Sequence, residues 1–393
     1  MLNIRPIVLS SSLRTRLSTV VFCIVLTACQ TTPKTQAPAA PLRPVATHAF
    51  TLAQDGDDVV GRLQVTRAHD EDTLSDIARR FNIGYEEIVR ANPGVDPWLP
   101  REGTPIVLPT QFVLPAAPHS GIVINLAALR IYYFPPRKGD EPQTVITHPI
   151  GIGMIGWSTP IGTTKIVSKR ADPWWYPPAS VRKEHAEDGD ILPAKVKPGP
   201  DNPLGRFAMN LDWPSYLIHG TNQPYGVGVR ASHGCIRLYP EDIAQLFGDI
   251  PIGTPVTVVN QSQVYGTYNG VRYLQSYPVF EDYADKKSMA AKNSTAKKDV
   301  AKKDAIKKET AKKDALAIAK ANKSDATKGA ASDENLTILP PQIDNPVVTD
   351  LIKNPRGIAV PVSTPQINLE KLIADAPRVE NRLPENATWD GVE

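Results

Sequence analysis

Cysteine is scarce: only Cys23, Cys29 and Cys235 occur in 393 residues. Three thiols cannot build the disulfide framework of a small secreted domain. Long apolar runs are missing too. The leading one, Val20 to Leu26, is far below the ~20 residues that span a bilayer. Net charge is nearly absent, at +3 from 44 basic and 41 acidic residues. That balance gives no footing for a nucleic-acid partner. His148, Asp172 and His185 lack metal-ligand spacing, so no metal is assigned. Gly151 to Gly156 lacks the lysine and helix of a phosphate loop, so no nucleotide or other cofactor is assigned either.

What is present begins with export. Arg5, Arg14 and Arg16 precede the apolar run, and Thr27-Ala28 follow it. A basic stretch, a short apolar stretch and small residues describe a signal peptide over 1–28. Leu26-Thr27-Ala28-Cys29 resembles the lipobox of bacterial lipoproteins, which implies lipidation at Cys29. Residues 29–61 then read as the lipidated Cys and a flexible Pro/Ala/Thr spacer. Cys23 leaves with the signal and Cys29 is consumed, so Cys235 remains as a lone thiol in an oxidising compartment. The expected place is the periplasm, anchored by lipid to a bacterial membrane, the outer one in preference to the inner.

Five further stretches follow from composition and periodicity. Over 62–110 the order is strand, helix, helix, strand. Leu74, Ile77, Ala78 and Phe81 share one helical face, Asp72 or Thr73 can cap that helix, and Asn92-Pro93-Gly94 ends the second. Residues 111–260 are rich in strand-like runs: Gly121–Leu126, Arg130–Phe134, Val145–Pro149, Thr163–Ser168 and Thr254–Val259. One amphipathic helix falls at Glu241–Phe247. Residues 261–285 form a small appendage. From 286 to 330 a Lys/Ala repeat carries 14 Lys against 5 acids between Lys286 and Lys328. It reads as a solvated, partly helical spacer, with attraction to anionic wall polymers or headgroups as the sharper reading. Residues 331–393, rich in Pro and Asn, read as a disordered tail.

The chemistry concentrates around one thiol. Tyr216-Leu217-Ile218 runs into His219-Gly220-Thr221, and Cys235 sits in Ser232-His233-Gly234-Cys235-Ile236-Arg237. A thiol attacks as thiolate, and an imidazole can take its proton. Arg237 adds a fixed charge that favours thiolate and can hold a carboxylate. Alkylation is therefore expected to stay fast below neutral pH. The residues alone leave a second reading open, in which Cys235 is inert and both histidines are structural. The aromatic run Trp174-Trp175-Tyr176 either walls the site or packs.

The segment 62–110 resembles the LysM module, through Asp72-Thr73-Leu74, Ile77-Ala78 and Ile88 to Pro93. Glu71 stands where that module commonly has Gly. The likeness implies binding to peptidoglycan glycan strands, by a small unit whose deletion should spare turnover of soluble stem peptides. The His219 segment and Ser-His-Gly-Cys-Ile-Arg resemble the L,D-transpeptidases of bacterial cell walls. Ile236-Arg237 stands where the family often has Asn or Gly-Asn. The resemblance implies a mainly β, sandwich-like catalytic domain behind a βααβ LysM module. It also implies roles: Cys235 as nucleophile, His219 as general base, Gly220 as its orienting carbonyl, and His233 as electrostatic support. Backbone N–H groups at Gly234 and Cys235 would hold the oxyanion, while Arg237, Ser232 and Thr221 would bind substrate. The implied partners are stem peptides, glycan strands and a wall-attached lipoprotein as acceptor amine. Rival readings are an L,D-carboxypeptidase or endopeptidase using the same thioester, and a non-enzymatic wall tether.

Overall fold

The computed structural model describes residues 48–52, 56–280, 345–363 and 367–381. The signal segment, Cys29 and the Lys/Ala repeat lie outside them. No helix among the described residues is long and apolar enough to cross a membrane.

The chain enters through β1 (Ala49–Thr51) and β2 (Val59–Gly61). Then come β3 (Gln64–Arg67), α1 (Leu74–Arg80), α2 (Tyr85–Ala91) and β4 (Pro105–Leu108). β3 and β4 pair antiparallel, giving the expected βααβ unit. Thr73 caps α1: its Oγ1 accepts from the Asp76 N–H at 3.2 Å, and the Asp76 carboxylate accepts from the Thr73 N–H at 2.9 Å. This reciprocal box satisfies two otherwise orphaned donors. Leu74, Ile77, Ala78 and Phe81 pack on Ile83, Ile88, Ile106 and Leu108, the apolar face read from the sequence.

β5 (Gln111–Val113) leads into the catalytic region. There follow β6 (Gly121–Asn125), β7 (Arg130–Phe134), β8 (Thr144–Pro149), β9 (Ile152–Gly153) and β10 (Gly162–Ala171). After α3 (Ala179–Glu187) come β11 (Phe207–Leu211), β12 (Leu217–His219), β13 (Arg230–Ser232) and β14 (Ile236–Arg237). Helix α4 (Pro240–Asp249), β15 (Pro255–Val259), β16 (Gln263–Tyr268) and β17 (Val271–Ser276) complete it. Nine strands form one sheet in the order β1-β8-β7-β6-β15-β10-β11-β12-β14. β10 is the turning point. Its first residues pair with β15, its last with β11, and its register shifts between Ile166 and Ser168. A bulge bends and twists a strand, so the sheet curls over its own core. Ile122, Ile131 and Val256 from one half meet Met209, Ile218 and Ile236 from the other, and Ile243 and Leu246 of α4 pack on them. The sandwich-like layering is thus made by a single curled sheet.

The LysM unit is not a separate bead. Arg130 on β7 is fully buried and makes two 3.0 Å bonds to the Glu87 carboxylate on α2. Arg79 grips Glu241 of α4 at 2.8 and 2.9 Å. The Asn82 side chain donates to the Thr147 carbonyl at 3.0 Å. Deletion of 62–110 would remove the Glu87 carboxylate and the Asn82 carbonyl that hold Arg130 and would uncover that face of the catalytic sheet. Loss of soluble stem-peptide turnover together with wall binding is therefore the outcome these contacts favour, against the expectation that the deletion spares turnover.

Within 331–393, the stretch read as a disordered tail, residues 345–363 and 367–381 carry structure. A helix spans Pro346–Lys353, β18 (Val360–Pro361) pairs with β17, and a helix spans Leu369–Ala374. The Asn and Pro that suggested disorder are capping residues here. Asn345 and Asn368 side chains accept from the Val347 and Lys371 N–H groups at 2.9 and 2.8 Å, and Pro346 opens its helix. Leu351, Ile358 and Val360 bury against Leu63, Ala91 and Val107. Residues 377–379 run parallel beside β3: the Val65 N–H donates to Pro377 O and the Val379 N–H to Val65 O. The returning segment thus extends the LysM sheet. Residues 331–344 and 382–393 lie outside the described residues.

Candidate active site

Strand register assembles the site. His219 ends β12, which pairs antiparallel with β11 and parallel with β14. Ile218 lies opposite Ile236 and His219 opposite Arg237, so Cys235, one residue before β14, comes beside Leu217 at the start of β12. Gly234 has φ +101°, and a Cβ there would lie 3.0 Å from the Tyr216 ring. Only glycine suits that conformation and approach. The Gly151–Gly153 segment supports the same turn. Gly151 and Arg237 exchange backbone hydrogen bonds of 2.8 and 2.9 Å. A Cβ on Gly153 would fall 1.9 Å from the Trp157 carbonyl oxygen.

The His219 Nδ1 lies 2.6 Å from the Gly220 carbonyl oxygen. A carbonyl only accepts, so Nδ1 carries the hydrogen and Nε2 keeps its lone pair. Burial, with the Arg237 charge behind it, pulls His219 down to about 3, against the bond to Gly220. It is a neutral imidazole at physiological pH, a proton acceptor held in one tautomer. Burial pushes the Cys235 thiol up, and the Leu217 backbone and Arg237 only partly oppose this. The expected thiolate-favouring balance is thus reversed: desolvation of the charged form outweighs the nearby cation. The Sγ donates weakly to the Ser215 carbonyl at 3.6 Å.

Other predicted residues fall as follows. Ser232 lies beneath the site, donating from Oγ to the Cys235 carbonyl at 2.6 Å and accepting from the Gly234 N–H at 3.2 Å. That bond occupies the Gly234 N–H expected to face an oxyanion, which corrects that assignment. Thr221 is buried, accepts from the Gln223 N–H at 2.9 Å, and lines a neighbouring cleft. Arg237 reaches the Cys235 cleft, and its Nε is buried without a hydrogen-bond partner. That cleft, of about 530 Å³, holds Cys235, His219, His233 and Arg237. Trp174, Trp175 and Tyr176 also line it, which decides between walling and packing in favour of the wall.

One site residue escaped the sequence reading. The excursion between β10 and β11 carries α3 over the cleft, where Ser180 and Val181 line it. Glu184 on α3 sits 3.2 Å from His233 Nε2. The Trp157 ring meets His233 edge-on at 4.9 Å, and the His185 ring lies 5.8 Å away. Burial lowers His233 and Glu184 opposes that. No motif marks Glu184; only the folding-back of α3 brings it in. Glu184→Gln keeps the shape but removes the charge. The His233 imidazole should then titrate at lower pH than in the native protein, followed by NMR. An unmoved titration would mean that Glu184 does not hold His233.

Residues 119–258 match the YkuD family, the L,D-transpeptidase catalytic domain, and residues 70–109 match the LysM domain. The Escherichia coli (strain K12) protein named Probable L,D-transpeptidase YbiS is 44% identical over 230 residues, 58% of this chain and 74% of that protein. Probable L,D-transpeptidase YcfS of the same organism is 40% identical over 249 residues, 62% of this chain and 76% of that protein. Among solved structures, the NMR structure of the catalytic domain from E. faecium L,D-transpeptidase is 25% identical, covers 37% of this chain and 99% of that one, and has a TM-score of 0.27. The chain belongs to the L,D-transpeptidase family, with a YkuD-type catalytic domain preceded by a LysM domain. It is a cysteine transpeptidase of the peptidoglycan cross-linking class.

Proposed function

We propose that Cys235 is the acyl carrier and His219 the proton carrier of a reaction joining two stem peptides, or a stem peptide and a wall-attached lipoprotein. The observation that carries this is the 2.6 Å bond fixing the neutral His219 tautomer in the cleft that holds Cys235. The His219 Nε2 takes the thiol proton as Sγ attacks the amide carbonyl of the third stem residue. Attack forms the S–C bond; collapse breaks the C–N bond, and the terminal D-Ala leaves as an amine with the proton from His219. The Cys235 N–H supports the oxyanion. An acceptor amine then attacks the thioester, gives a proton to His219, and the thiol is restored. Arg237 holds a substrate carboxylate, and His233, set by Glu184, supports the site's charge.

The same reading has the signal peptide removed at Cys29 and the mature chain lipid-anchored in the periplasm, at the outer membrane. The LysM unit, 62–110, engages glycan strands. The test is mass spectrometry of wall fragments after incubation with the purified enzyme. A 3-3 cross-linked dimer is expected. Free tripeptide alone would make the enzyme a hydrolase, and unchanged fragments would sink the reading. Cys29→Ser should release the protein from membranes in detergent-free fractionation.

A further inference from the structure

Two arginines line the Cys235 cleft, Arg170 and Arg237, and the proposed reaction uses only Arg237. Strand register places both. Arg170 on β10 lies opposite Ala208 on β11, Ala208 opposite His219 on β12, and His219 opposite Arg237 on β14. Residues directly opposite on neighbouring strands share a face of the sheet. The adjacent row, Lys169, Met209, Ile218 and Ile236, takes the other face. There Met209, Ile218 and Ile236 enter the core, and the Lys169 ammonium donates to the Phe247 and Ile250 carbonyls at the end of α4. Arg170 and Arg237 therefore stand on the cleft face, on opposite sides of His219. With strands about 4.8 Å apart, the Arg170 backbone lies about 10 Å from that of His219 and the Arg237 backbone about 5 Å away on the other side.

Lys169 has a task in the fold, and Arg170 has none. The Arg170 guanidinium is exposed, with no ion pair or hydrogen bond to a described residue. The next acid along the chain, Asp172, faces Arg206 at 3.4 Å. No Asp or Glu lines the cleft among the described residues, and Glu184 above it faces His233. Asn210, the next cleft-facing residue on β11, lines it too, its side chain making no hydrogen bond to a described residue. An open guanidinium without a counter-charge, beside a free amide, is a receptor for a carboxylate.

We propose that Arg170 is a specificity-determining residue, holding a stem-peptide carboxylate on the acyl side of the scissile amide. The proposal rests on the proposed reaction. A donor stem has carboxylates on both sides of that amide: one on the leaving D-Ala, next to the bond, and others farther off on the acyl side. Arg237, one strand from His219, matches the near one. Arg170, two strands away in the other direction, matches a far one. Two groups have the right chemistry: the side-chain carboxylate of a diaminopimelate in the third position, and the α-carboxylate of a γ-linked D-Glu before it.

The test is calorimetric titration of the soluble tetrapeptide L-Ala-γ-D-Glu-diaminopimelate-D-Ala into the full chain carrying Cys235→Ala, so that binding is read without turnover. Adding Arg170→Gln should weaken binding roughly tenfold, 1.4 kcal/mol. Arg170→Lys should recover part of that, because the charge remains while the fork is lost. The comparison is repeated with lysine in the third position and with the D-Glu carboxylate amidated. The analogue whose affinity is indifferent to Arg170→Gln lacks the group that Arg170 holds. The same loss with all three peptides, or no loss with any, would overturn the proposal. In the active enzyme Arg170→Gln should raise KM more than it lowers kcat, since the contact is made before the acyl transfer as well as during it. Absence of tetrapeptide turnover by the native enzyme would count against the proposed reaction, while the titration still decides the role of Arg170.

Discussion

Cys235→Ala will form no acyl adduct and carry out no transfer. Cys235→Ser will be nearly as inactive, because its hydroxyl is much harder to ionise. The native thiol itself will react slowly with iodoacetamide at pH 7, and faster as pH rises beyond the ordinary thiol range of about 8.5. The sign follows from burial. The thiolate is the reactive form, and desolvation raises the thiol, so at a given pH less thiolate is present than in a free thiol. Arg237 opposes this, so Arg237→Ala should move the alkylation profile to still higher pH. His219 is neutral, pulled down to about 3, and lends no positive charge. His219→Ala should therefore stop transfer without the shift that Arg237→Ala gives. Alkylation rates against pH, read by mass spectrometry, check all three. Native alkylation at pH 7 as fast as that of a model thiol would show that the cation outweighs burial. Full transfer by Cys235→Ala would remove the thioester mechanism altogether.

That reversal shows what local sequence can and cannot carry. His219, His233 and Arg237 were legible as neighbours of the thiol, because sign and proximity lie in the motif. The cost of burying a thiolate does not, since it depends on strands that close from elsewhere. The same divide runs through the fold. Leu74, Ile77, Ala78 and Phe81 announced α1 by period, and β6, β7 and β15 read as strands because β-branched and aromatic residues are dense there. Glu184 was invisible, because a carboxylate on a weakly amphipathic helix looks like solvated surface until α3 folds over His233. The residues after 344 misled in the opposite direction. Asn345, Pro346 and Asn368 were weighed by composition, whereas their positions at helix starts give them meaning.

The buried pair between the modules sets the last expectation. Glu87→Ala should destabilise the full chain by about 3–5 kcal/mol, lowering its melting temperature by on the order of 10 °C. Arg130 has no exposed surface, and its guanidinium also donates to the Asn82 carbonyl at 3.0 Å. Taking away the carboxylate leaves that cation desolvated, a far larger penalty than losing a surface ion pair. The substitution removes a cap as well, since Glu87 Oε2 accepts from the Gly84 N–H at 2.7 Å. Gly84 is also a point of close approach between the modules: a Cβ there would lie 2.7 Å from Gly228 Cα. Calorimetry should find one cooperative transition for both modules in the native protein, and a lower one in the variant. Replacing both partners, Glu87→Leu with Arg130→Met, should recover much of the loss, because no uncompensated charge is left buried. A variant within 1 kcal/mol of native, or a LysM unit melting apart from the catalytic sheet, would show that Arg130 finds water or another partner and that the modules are not one folding unit.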